Sequence, residues 1–230
     1  RAQIMKFAIP SPLQHQHEAA ERGGVKLPAM KTPAFFEAVP AIVVIDPLAE
    51  TLGAAENGVI EYHYRDAVKL AGHSCPTVAG AWLMTRTALA HLYPDGVPQR
   101  GGMRVELRQA VDEGVAGVMA SVAGLVTGAA TEGGFQGLAG RFRRQGLLRF
   151  GVPMTGEIRF VRLDSGRSVE VAHQPQVVPR PAGLADLMRD ALAPQADSAR
   201  RRAFAEAWQA WVQTILIDHA DDPALVTVIV

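Results

Sequence analysis

Residues 76–93, PTVAGAWLMTRTALAHLY, are an alanine-rich apolar run in which Arg86 is the only charge. A helix of this composition belongs inside a molecule, with other elements packed around it. Proline stands at its first position, where the missing N–H would have had no partner in any case. Ala79, Gly80 and Ala81 keep one stretch thin enough for another backbone to approach closely. Any fold open to this chain has to cover that helix.

The flanking segments supply the cover. AIVVI (41–45) is a short β-branched run closed by Asp46-Pro47, which predicts a buried strand. PLAETLGA then predicts one or two helical turns ended by Gly53. GVIEYHYR (58–65) alternates as a strand does, and Asp66 is placed to cap a short helix through AVKLAG. Beyond the YPDG turn the pattern becomes β-rich: GMRVELRQ, the more buried GVMASVAGLVTG, then LLRFGV, GEIRFVRL and SVEVAHQ, the last two joined by DSGR. ATEGGFQGLAGR is a glycine-rich loop, and PQVVPRPAG a proline-rich linker. Two helices follow, over 183–193 and 197–217, the second amphipathic through Phe204, Trp208, Trp211, Val212 and Ile215.

This order predicts an α+β fold: a mixed or antiparallel sheet of about five strands, packed by the central helix that starts at Pro76, with a helical C-terminal tail. The implied divisions are a loose arm over 1–34, with a short helix near QHQHEAAER, an α+β domain over 35–180 and a helical extension over 181–230.

Lys plus Arg and Asp plus Glu balance at 23 each, so charge gives no reason to expect nucleic acid or anionic lipid as a partner. No stretch is long and apolar enough for a membrane span. The start, RAQIMKFAIPSPL, lacks the apolar core of a secretory signal, and a single cysteine cannot form an internal disulfide; a cytoplasmic location is the expectation. A homodimer is also expected, the amphipathic face of 197–217 suiting either its interface or packing within the chain.

That one cysteine lies in GHSCP, residues 72–76, directly before the central helix. Cys75 falls at the helix N-cap, where outward N–H groups and the helix dipole favour a thiolate. His73 lies two residues earlier, after a glycine that permits a tight turn. Imidazole and thiol suit zinc or another transition metal as ligands. They also suit nucleophilic catalysis, with Cys75 as the catalytic group and the imidazole as its partner. Plain packing of a small thiol at a helix start is the third reading.

GHSCPTVAG resembles the signature of the FmdE-like family of formylmethanofuran dehydrogenase subunits, approximately Gly-His-x-Cys-Pro-Gly followed by small residues and a helix. The likeness extends over about residues 40–175, through the glycine-rich TGAATEGGFQG. It implies an α+β domain and a metal- or cofactor-binding pocket at His73 and Cys75. The chain departs from the family where a second histidine often stands (Ala71), where a cysteine follows Thr-Gly (Ala129), and in having no cysteine-rich zinc-ribbon tail. It resembles a divergent member to which formylmethanofuran chemistry does not transfer.

Zinc normally takes three or four protein ligands. His63, on the strand expected to feed the motif, is the first candidate for a third; His173, His15 and His17 are others. Thr131 and Glu132 in the glycine-rich loop, and Arg100, are candidate contacts to a cofactor or small-molecule ligand. The alternative cofactor is haem, bound non-covalently because no Cys-x-x-Cys-His is present, with Trp82, Met84, Phe135 and Phe142 as lining residues. The expected function is therefore metal or metallocofactor binding, with or without turnover of a small substrate; a haem carrier or sensor is the alternative.

Overall fold

The computed structural model describes residues 21–22, 25–26 and 30–230. Two compact units are distinguished, Arg1–Thr32 and Pro33–Val230. Within the first, β1 (Glu21–Arg22) and β2 (Val25–Lys26) pair antiparallel. His15, His17 and residues 14–20 of the helix expected near them lie outside the described residues, and its last two residues, Glu21 and Arg22, are strand rather than helix.

The second unit is α+β, with a five-stranded mixed sheet as its frame. β5 (Met103–Leu107), β6 (Leu148–Arg149), β7 (Ile158–Arg162), β8 (Ser168–His173) and β9 (Val226–Ile229) lie in the order β6-β5-β7-β8-β9. Only β5 and β6 run parallel; the other neighbours are antiparallel. Alternation decides which face is covered. Met103, Val105, Leu107, Ile158, Phe160, Val169 and Val171 are buried. The alternate residues carry charge: Arg159 bonds Glu106 at 3.0 Å and Glu170 at 2.6 Å, and Arg104 bonds Glu106 at 2.6 Å.

The central helix is α3 (Pro76–Leu92), and eleven of its residues are buried, from Val78 to Leu92. It packs on β7, β8 and β9, on α2 (Tyr64–Ala71), on α4 (Ala116–Thr127) and on α6 (Ser198–Gln213). Close approach to β8 depends on Gly80, where a β-carbon would stand 2.7 Å from His173 Nδ1. A second, two-stranded antiparallel sheet joins β3 (Ile42–Ile45) to β4 (Val59–Tyr62). Between them Asp46 caps α1 (Pro47–Thr51), its carboxylate accepting from Leu48 N–H at 2.9 Å.

Several expectations are corrected. GVMASVAGLVTG is not a strand but α4: Val118, Val122 and Val126 recur every fourth residue, each interval between them holds one alanine, Ala120 or Ala123, and Gly128 ends the helix at φ +72°. Asp66 is not the N-cap of α2, which is His63; at the third helical position it completes a capping box by accepting the His63 N–H at 3.0 Å. LLRFGV contributes only Leu148 and Arg149 to the sheet. The 181–230 segment is not helical throughout. After α5 (Leu184–Leu192), α6 and a π-helical turn (Thr214–Asp218), the chain returns as β9, an edge strand of the main sheet. Among the described residues no helix is long and apolar enough to cross a membrane.

Candidate functional site

α2 ends at Gly72, whose φ of +75° reverses the chain while its N–H still reaches Val68 O at 2.8 Å. Three residues then bridge to α3. Ser74, 9% exposed, faces inward: its hydroxyl lies 3.0 Å from the Tyr64 hydroxyl, and Tyr64 is fully buried. Burial pushes the Tyr64 phenol well above its ordinary range, so it remains neutral; the Ser74 hydrogen bond opposes that shift only in part. Phe36 and Trp82 pack edge-on against the Tyr64 ring, with centroids 5.0 and 6.0 Å away. The bridge is thus anchored at its middle residue.

His73 and Cys75 flank that anchor, the first exposed and the second half-buried. Cys75 is the N-cap of α3, extended at φ −151° and ψ 168°, and its Sγ accepts the Val78 N–H at 3.5 Å. His73 Nδ1 lies 2.9 Å from the Ala71 carbonyl oxygen. A carbonyl only accepts, so Nδ1 carries the proton and the lone pair is on Nε2. From outside, α6 closes on the same bridge: Trp208 Nε1 and Gln209 Nε2 both donate to Ser74 O, at 2.9 and 3.3 Å.

The other candidates lie elsewhere. His63 precedes α2 and His73 follows it, so an eight-residue helix, about 12 Å of rise, separates them. His63 Nε2 is instead 3.8 Å from Glu61 Oε1. Thr131 and Glu132 use their carbonyls to hold the glycine-rich loop, accepting from Gly134 and Gly146 N–H and from Gln145 Nε2. No hydrogen bond or ion pair of the described residues joins either to His73 or Cys75. His173 packs on α3 at Gly80, where burial holds its pKa below the ordinary histidine value and leaves Nε2 without a partner among the described residues. Trp82 and Met84 belong to the core, whereas Phe135 is 46% exposed. Neither His73 nor Cys75 lines any of four cavities of about 340–710 Å³ found among the described residues. Among the described residues no three His, Cys, Asp or Glu side chains gather as a metal-holding group.

A second polar cluster escapes sequence reasoning. Asp46, 3% exposed, receives Arg100 Nη1 at 2.9 Å and Arg144 Nη2 at 2.6 Å. Burial alone would raise its pKa, but the two guanidiniums and the Leu48 N–H outweigh it and hold the carboxyl below the usual value. Arg100 also donates to Leu125 O at the end of α4, which assigns that side chain to the frame. Gly101, at φ +78°, leaves room for Arg144; a β-carbon there would collide with its guanidinium. The only sequence signal was Asp-Pro after a strand, which marks a helix start and says nothing of distant arginines.

Compared with protein-family models and with curated proteins, the chain matches none of them.

Proposed function

We propose that the chain binds a transition-metal ion, zinc foremost, through His73 Nε2 and Cys75 Sγ. The observation that carries this reading is the hydrogen bond from His73 Nδ1 to Ala71 O at 2.9 Å. A metal-ligating histidine characteristically donates its other ring N–H to a carbonyl or carboxylate, which fixes the tautomer and makes the free nitrogen a better donor. The Val78 N–H, bonded to Sγ at 3.5 Å, holds the sulfur in place at the start of α3. The likeness of GHSCP to the FmdE-like signature points the same way. Two ligands leave coordination positions open for water, a small molecule or a cofactor's own donors. When bound, the ion supplies a Lewis acid; the chain's part is to hold the imidazole and thiolate in place.

Metal analysis of the purified protein, with cobalt(II) titration followed by absorbance, tests the reading. The expected result is about one zinc per chain and a sulfur-to-cobalt charge-transfer band, with both lost in His73→Ala and in Cys75→Ser. Chains that take up no metal, or that bind it equally after both substitutions, would refute it. A Soret band in place of zinc, sensitive to the same substitutions, would favour the haem alternative.

A further inference from the structure

The main sheet ends on one side in β6, only two residues long, and on the other in β9, Val226-Thr227-Val228-Ile229. β9 carries no charge, proline or bulge, the devices that normally keep an edge strand from pairing. The hydrogen-bond phase shows which groups it presents. In β8 the Val171 carbonyl is taken by Glu157 N–H on the β7 side, so Glu170 and Ala172 face β9, opposite Ile229 and Thr227. The polar groups of Val226 and Val228 therefore point away from the sheet. Val226 N–H closes a turn onto Asp222 O at 3.1 Å. The N–H and C=O of Val228 and the C=O of Val226 have no partner among the described residues.

We propose that β9 pairs antiparallel with β9 of a second copy about a two-fold axis at Val228, joining the two sheets into one. Val228 then exchanges both of its bonds with the partner's Val228, and Val230 N–H donates to Val226 O across the seam. A two-fold demands a self-complementary surface, and the surroundings of β9 provide one. A groove of about 340 Å³ beside the edge is lined by Val226 and Val228 and rimmed by Arg86, His91, Asp221 and Asp222. Arg86 and the 79% exposed Asp221, 2.8 Å apart, place both signs of charge on one rim. Two such rims facing each other match in charge, whereas a strongly acidic or basic peptide meets like charge on part of either.

Sedimentation velocity over a range of concentrations up to millimolar tests this, with circular dichroism confirming that each variant is folded. The two-fold sets position 227 opposite position 229. Thr227→Lys with Ile229→Lys puts lysine against lysine and should weaken the dimer at least about tenfold. Thr227→Glu with Ile229→Lys puts opposite charges there and should restore it. Hydrogen exchange at the Val228 amide should slow with wild-type concentration, a readout that stands even if the lysine pair fails to fold. A wild type that stays monomeric throughout, or a dimer indifferent to the lysine pair, overturns the proposal.

Discussion

Asp46 serves two elements at once, as the N-cap of α1 and as the carboxylate shared by Arg100 and Arg144. Asp46→Asn separates these roles, because asparagine caps a helix as well as aspartate does but carries no charge. With the counter-charge gone, two guanidiniums remain in a site that is almost closed to water, and the expected loss near neutral pH is about 3 kcal/mol or more. The pH dependence follows from a carboxyl held below its ordinary value. Such a group contributes stability above its unfolded pKa of about 4, and that contribution fades as pH falls through the lower folded value. Urea denaturation of both proteins between neutral pH and pH 3 should show the gap narrow from about pH 4 downward; no gap at any pH would assign Asp46 a capping role only, and a gap of constant size would deny its charge the stabilising part. At this scale the sequence conceals most of what matters. Asp46 and Arg144 lie 98 residues apart, and no spacing rule joins them. The helix start in GHSCP, by contrast, was legible because Pro76 and the N-cap before it are consecutive residues.

α3 and β8 meet where Gly80 faces His173, and the contact has a directional cost. Inside a helix alanine is favoured over glycine by about 1 kcal/mol, yet at position 80 its β-carbon would lie 2.7 Å from the imidazole Nδ1. Gly80→Ala should therefore destabilise, by about 1–3 kcal/mol as overpacked cores do. Removing the ring with His173→Ala should turn the same glycine substitution neutral or favourable, giving a coupling above about 1 kcal/mol in a double-mutant cycle. Burial also holds His173 neutral. Its depressed folded pKa means stability is full above about 6.5 and declines as pH falls below that, so the cost of His173→Ala should shrink toward pH 5. Additive substitutions, or a pH-independent cost, would deny the contact its role. The elements that strict alternation marks, β5, β7 and β8, lie where the pattern placed them, because one buried face leaves a period of two. α4 escaped because a run without charges, whose only polar side chains are Ser121 and Thr127, has no polar face from which to read a period; its valines at every fourth residue were the available clue. β9 escaped because it is four residues long and follows a helix-rich stretch.

Across the whole second unit, the motif is held from two sides by segments far apart in sequence. Tyr64 grips Ser74 from the core, and α6 grips its carbonyl from outside through Trp208 and Gln209, more than 130 residues later. The sequence showed that α6 has an apolar face but not that the face ends on the GHSCP bridge, since that depends on how the chain returns after β8. The clamp makes α6 part of any metal site at His73 and Cys75. A side chain that orients a ligand from behind typically changes affinity by 10- to 100-fold when lost. Trp208→Phe keeps most of the ring's packing and removes only the N–H bonded to Ser74 O at 2.9 Å. The expected result is cobalt(II) binding weaker by about tenfold, with stability lowered by only about 1 kcal/mol because Gln209 still bonds the same carbonyl. The coupling must run both ways: metal bound at the motif should slow hydrogen exchange in α6, and Trp208→Phe should diminish that protection. If affinity and protection are both unchanged in Trp208→Phe, α6 covers the bridge without positioning it, and the ligand geometry rests on Tyr64, Gly72 and the start of α3 alone.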